Sequence, residues 1–133
     1  MGEADENEAT NAGAGVVVVL NRDLMFGSQI RAVLKALGHE ARFARDTSGF
    51  VAALRETGGG AALGLIDMNG DVDWAVIAVF AAEAGRVPLL GFGPHVDVDG
   101  RRAAKRAGVD RIVSNGDFHR DAATLVARYA RSA

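Results

Sequence analysis

Val16 to Leu20 is a run of five aliphatic residues, four of them β-branched, with no polar position in it. β-Branched side chains are stiff at χ1 and pack well on a pleated surface, so a short run with no wet face belongs inside a covered sheet. Ala62 to Ile66 is a second such run, preceded by Gly58-Gly59-Gly60 and followed by Asp67, Asn69 and Gly70. It reads as the central strand. Strands that are apolar on both sides need helices over both sides, and parallel crossovers supply them.

The rest of the chain alternates accordingly. Phe26, Ile30, Val33, Leu34 and Leu37 form one apolar helical stripe that Gly38 ends, with Asp23 placed as its N-cap. Glu40 to Ala44 sets Ala41 and Phe43 against Glu40 and Arg42, the pattern of an edge strand. Asp46 caps a second helix carrying Phe50, Val51 and Leu54. Val72, Val76, Val79 and Phe80 mark the expected buried face of a third helix that stops at Gly85. Val87 to Phe92 is a fourth strand, its proline tolerated near the start. Gly100 to Ala107 is a fourth helix, capped by Asp97 or Asp99 and closed by Gly108, and Asp110 to Ser114 is a fifth strand. Asp117 is the expected cap of a last helix bearing Phe118, Ala122, Leu125, Val126 and Tyr129. Five strands alternating with five helices imply an α/β fold, a parallel sheet with helices on both faces.

A chain of 133 residues, 49% hydrophobic and 24% charged, suits one domain, expected over residues 16–133. Residues 1–15 are acidic and rich in Ala, Asn and Gly, and are expected to be a flexible tail. The formal net charge of -2 exerts no global pull on nucleic acid or anionic lipid, and the absence of cysteine removes disulfides, thiol nucleophiles and thiolate metal sites. There is no signal-peptide series and no apolar run of about 18 residues to span a bilayer. A soluble cytoplasmic protein with no membrane contact is expected.

Asp67 ends the central strand, and the C-terminal ends of strands in open α/β sheets face the crevice where ligands bind. Leu37-Gly38 before the second strand, Leu65-Ile66-Asp67-Met68 at the third, Val87-Pro88-Leu89-Leu90 at the fourth and Arg106-Ala107-Gly108-Val109-Asp110-Arg111-Ile112-Val113 into the fifth follow in a telling order. From Val16 to about Arg131, the chain resembles a response-regulator receiver domain, the CheY-like, flavodoxin-like module of two-component signalling. The resemblance implies a five-stranded parallel sheet in the order 2-1-3-4-5. It also implies phosphoryl transfer to an aspartate at the position of Asp67, a carboxylate nucleophile. In that family two acids after the first strand help hold magnesium, while a hydroxyl after the fourth strand and a lysine after the fifth bind the phosphoryl oxygens.

Only the acceptor matches. The acid pair falls on Asn21 and Arg22, an amide and a permanent cation, with Asp23 one position further on. The hydroxyl position falls on Gly93 and the lysine position on Ser114, and Trp74 stands about where the family has a loop glycine. A degenerate, pseudo-receiver type is implied, with Arg22 expected to occupy the metal's space and pair with Asp67 through a guanidinium fork or sit close to it; the alternative is that Arg22 points to solvent and Asp67 is a partly exposed acid. On that reading no cofactor binds. Magnesium enters only if Asp67 is still a working phosphoacceptor.

His39, His95 and His119 lack metal-site spacing and read as surface histidines, although His95 follows the fourth strand and is placed to hang over Asp67 as a pocket sensor. Arg101, Arg102, Lys105 and Arg106 make a basic run on the fourth helix, and Trp74 is a candidate interface anchor. In the resembled family helix four, strand five and helix five form the surface for dimerisation and effector contact, so a protein partner or homodimer is expected there, and nucleic acid is not. Three functions are consistent with these residues. The preferred one is a non-enzymatic signalling module that acts by protein-protein contact, independent of phosphorylation. The alternatives are a phosphoacceptor receiver using Asp67 and a small-ligand-binding flavodoxin-like domain.

Overall fold

The computed structural model describes residues 14–131, so the tail expected over residues 1–15 lies outside the described residues but for its last two positions. The strands are β1 (Val16–Leu20), β2 (Glu40–Ala44), β3 (Leu63–Asp67), β4 (Leu89–Gly93) and β5 (Arg111–Ser114). The helices are α1 (Leu24–Ala36), α2 (Thr47–Glu56), α3 (Trp74–Ala81), α4 (Val98–Ala107) and α5 (Asn115–Tyr129). All four strand pairings are parallel and the order is 2-1-3-4-5, as expected.

The β1 run is wholly apolar because it serves two cores. Val18, Leu20 and Ile66 point to one face, where Phe50, Leu54, Ile77, Phe80 and Ala104 come down from α2, α3 and α4. Val17, Val19, Leu65, Leu90 and Phe92 point to the other, against Ile30 and Leu34 of α1 and Phe118 and Val126 of α5. Alternation is present but invisible in hydropathy, since each face is covered. β2 lies at the sheet edge and none of its residues is fully buried, as its charge alternation implies.

Each helix begins on a side-chain cap. Asp23, Asp46, Asp73 and Asp97 accept from N–H groups of the first turns of α1 to α4, relieving donors that have no intrahelical partner. For α5 the expected cap is corrected: Ser114 Oγ accepts from the Asp117 N–H at 3.1 Å, while Asp117 pairs with Arg120. The expected face of α3 is also corrected. Val79 is 63% exposed, and Ile77 takes its place in the core. Nearly every residue of α3 is apolar, so periodicity could not choose its face. α4 ends at Gly108, whose φ of 103° is left-handed and whose absent Cβ would lie 2.7 Å from Ala81 Cβ.

Arg86, in the α3–β4 connection, binds the carbonyls of Ala81, Val87 and Gly108 and the carboxylate of Asp110. Burial pushes the Asp110 carboxyl up, but its hydrogen bonds from Arg86 and the Leu89 N–H outweigh this and hold it below the usual carboxylate range. A carboxyl lowered on folding adds stability above its unfolded value and loses it as pH falls through its folded value. Arg86→Met is therefore expected to cost about 2 kcal/mol at neutral pH in urea denaturation, with a smaller deficit once Asp110 is protonated.

Candidate functional site

The site lies where β1 and β3 end side by side. Asp67 closes β3 and is only 6% exposed, beside Asn21 at 8%. The Asn21 backbone N–H donates to Ala44 O at 3.0 Å, prolonging the β1–β2 ladder by one residue before Asp23 starts α1. Its side chain is left beside β3, where Nδ2 donates to Asp67 Oδ2 at 2.7 Å. The other carboxylate oxygen, Oδ1, accepts from the Asn69 backbone N–H at 2.9 Å and from Asn69 Nδ2 at 2.7 Å. Three amide N–H donors therefore satisfy one buried carboxylate.

The contacts extend outward. Asn69 and Asn115 exchange side-chain hydrogen bonds of 2.9 and 2.8 Å, joining the loop after β3 to the first residue of α5. Asn69 thus gives one Nδ2 hydrogen to Asp67 and the other to Asn115, while its Oδ1 accepts from Asn115, so both side-chain donors are engaged. A cleft of about 310 Å³ opens over Asp67, lined also by Asn21, Arg22, Asp23, Asn69 and Asp71. Asn115→Ala is expected to cost about 1 kcal/mol, and a double-mutant cycle with Asn69→Ala should return a coupling of about 1 kcal/mol by urea denaturation.

The expected pairing of Arg22 with Asp67 is corrected. Arg22 does line the cleft, but its Nε donates to Arg45 O at 2.7 Å, and the donors on Asp67 are Asn21 and Asn69. Side chains alternate in direction along an extended chain, so with Asn21 turned toward β3 its successor is carried toward the β2–α2 loop. Asp23 caps α1, accepting from Met25 N at 2.8 Å. Gly93 leaves room for Met68, whose Cβ would lie 3.0 Å from a Cβ added there, and Ser114 is spent on the α5 cap.

His95 is exposed and does not reach Asp67, because the Pro94–Asp97 turn carries it outward. It joins Arg101, Arg102, Lys105 and Arg111 along a cleft of about 550 Å³ between α4 and β5. Arg106 departs from the basic run and lies with the half-buried Trp74 in the groove between α3 and α4. His119 is not a surface histidine: it packs on Phe26, with ring centroids 4.5 Å apart, and its Nε2 is buried with no hydrogen-bond partner among the described residues. Asn69 and Asn115 carry the site and were missed in sequence. The available signal was a polar amide followed by glycine just past two strand ends, Asn69-Gly70 and Asn115-Gly116.

The signal receiver domain of a signal transduction histidine kinase from Syntrophus aciditrophicus superposes with a TM-score of 0.72 at 16% identity, covering 87% of this chain and 89% of that one. The chain has the receiver fold. Chemotaxis protein CheY4 of Vibrio cholerae gives a TM-score of 0.71 at 13% identity, over 86% of this chain and 98% of that one. A response regulator receiver domain protein from Clostridium thermocellum gives 0.72 at 13%, over 86% and 93%. No protein-family model matches the sequence, and no curated protein matches it.

The residues of this receiver fold do not fit the magnesium ion that the resemblance implies. Magnesium takes oxygen ligands in near-octahedral geometry, preferably carboxylates. Here an amide nitrogen faces Asp67, a guanidinium follows it in sequence, Asp23 is committed to a helix cap, and both Asp67 oxygens already accept N–H groups. Among the described residues no group of three or more His, Cys, Asp or Glu is placed to hold a metal ion, and no helix is long and apolar enough to cross a membrane.

Proposed function

We infer that this chain is a receiver-like signalling module that works by protein-protein contact without phosphorylation and without catalysing a reaction. The observation that carries this reading is the set of three amide N–H donors that Asn21 and Asn69 place on Asp67. An acceptor carboxylate attacks with an oxygen lone pair, which donated amide hydrogens make less nucleophilic, and it needs a bound cation to offset the charge of the incoming phosphoryl group. Both Asp67 oxygens accept amide N–H groups, Asn21 beside it is neutral, and Arg22 on the cleft wall is turned to the Arg45 carbonyl. The partner surface on this reading is α4, β5 and α5, where Arg101, Arg102, Lys105 and Arg111 give a positive field suited to an acidic protein face; a second copy would have to bring an acidic face of its own to it.

A phosphoacceptor role keeps one favourable observation, the open cleft above Asp67. Incubation with a small phosphodonor and magnesium, read by intact mass, separates the two. No phosphoryl adduct is expected; an adduct that Asp67→Asn abolishes would replace the first reading by the second.

A further inference from the structure

Beside the Asp67 cleft, on the α1–β2 side, lies another cleft of about 320 Å³ whose rim carries Arg22, Arg31 and Arg45. None of these arginines forms an ion pair among the described residues, where the salt bridges involve other cations. Arg22 is steadied by the Arg45 carbonyl, and the Arg31 guanidinium stacks over the Phe43 ring at 4.4 Å. Two of the three cations are thus positioned by neutral partners. The nearest acids in sequence, Asp23 and Asp46, are spent on the caps of α1 and α2. Three like charges held around one concavity repel each other, and a cleft lined by one sign of charge concentrates the opposite ion.

The remaining wall supplies further chemistry. Leu24, Ser28 and Arg31 are spaced at i, i+4 and i+7 on α1 and share one helix face toward the cleft. Ser28 offers a hydroxyl, and Leu24, 84% exposed, is the most exposed large apolar side chain described. We propose that this cleft binds a small phosphorylated molecule, its phosphoryl oxygens taken by Arg22, Arg31 and Arg45 and an apolar or aromatic part laid against Leu24. Guanidinium forks match phosphoryl oxygens in pairs, and the volume lies at the lower end of ligand-site size. Asn21 and Arg22 line both this cleft and the one over Asp67, so a ligand here is felt at the Asp67 amide contacts.

The test is titration of the whole protein with adenosine diphosphate at constant ionic strength, read by calorimetry and by amide shifts, with adenosine as the uncharged control. Saturable binding is expected for the diphosphate and not for adenosine, with shifts at Asn21, Ser28 and Phe43. Arg31→Gln and Arg45→Gln, both exposed positions checked for an unchanged melting temperature, should each weaken binding about tenfold by removing charge-assisted hydrogen bonds. Arg101→Gln with Arg102→Gln should leave it unchanged. Absence of saturable binding, shifts confined to the α4–β5 cleft, or equal losses in the Arg101 and Arg102 variant would overturn the proposal. None of these outcomes bears on whether Asp67 accepts a phosphoryl group.

Discussion

Asn21→Asp is expected to lower the stability of this domain by about 3 kcal/mol at neutral pH, although it changes the side chain by one atom. The introduced carboxylate would stand at the 2.7 Å contact that Asn21 Nδ2 now makes with Asp67, with both groups below a tenth exposed. A hydrogen bond becomes a clash of two buried anions, and the solvent that would screen them is largely excluded. Asn21→Ala, which deletes the donor but adds no charge, should cost less, about 1–2 kcal/mol, because Asn69 keeps its two bonds to Oδ1. The contrast between the two variants isolates charge from hydrogen bonding. Magnesium should restore part of the loss in Asn21→Asp alone, since only there do two carboxylates face each other, and ligand binding to the folded state raises its stability by mass action. Urea denaturation with and without magnesium reads all three effects.

Phe92→Ala should have an effect of similar or greater size, about 4 kcal/mol. Phe92 is fully buried, aligns with Asp67 in the β3–β4 register, and stacks on Phe118 with ring centroids 4.1 Å apart and planes at 6°. Truncation leaves a cavity between β4 and the start of α5 that neither element can collapse to fill. It also releases the end of α5 that carries Asn115, so the Asn69 and Asn115 side-chain amide signals should broaden. Phe92→Leu, which keeps most of the volume, should cost about 1.5 kcal/mol. Because small domains hold about 5–15 kcal/mol in all, the alanine variant should melt markedly earlier in calorimetry while the leucine variant stays close to the parent.

The strand skeleton was legible because β1 and β2 state their environments outright, one with no polar residue and the other with Ala41 and Phe43 alternating against Glu40 and Arg42, and both occur over the residues expected. β3 runs Leu63–Asp67 rather than from Ala62, since Asp67 is held in the ladder opposite Phe92. α3 was legible as a helix but not in its facing, because an almost wholly apolar segment carries no stripe and the sheet decides that Ile77 goes in. The position of Asp67 at the end of the central strand could be read from the sequence. Its partners could not: Asn69 and Asn115 lie 46 residues apart and meet only once β3 and β5 are set in the sheet. Arg22 misled for a related reason. Opposite charge suggested a pair with Asp67, whereas backbone direction after β1 gives that contact to Asn21.

Titration of isotopically labelled protein with magnesium and beryllofluoride, watched at the side-chain amides of Asn21 and Asn69 and along α4, tests the central claim most directly. With Asp67 held by amide hydrogens and no ligand set for the metal among the described residues, these signals should show no saturable change up to tens of millimolar magnesium. Saturation at millimolar metal, with the Asn21 amide released and α4 shifted, would contradict it.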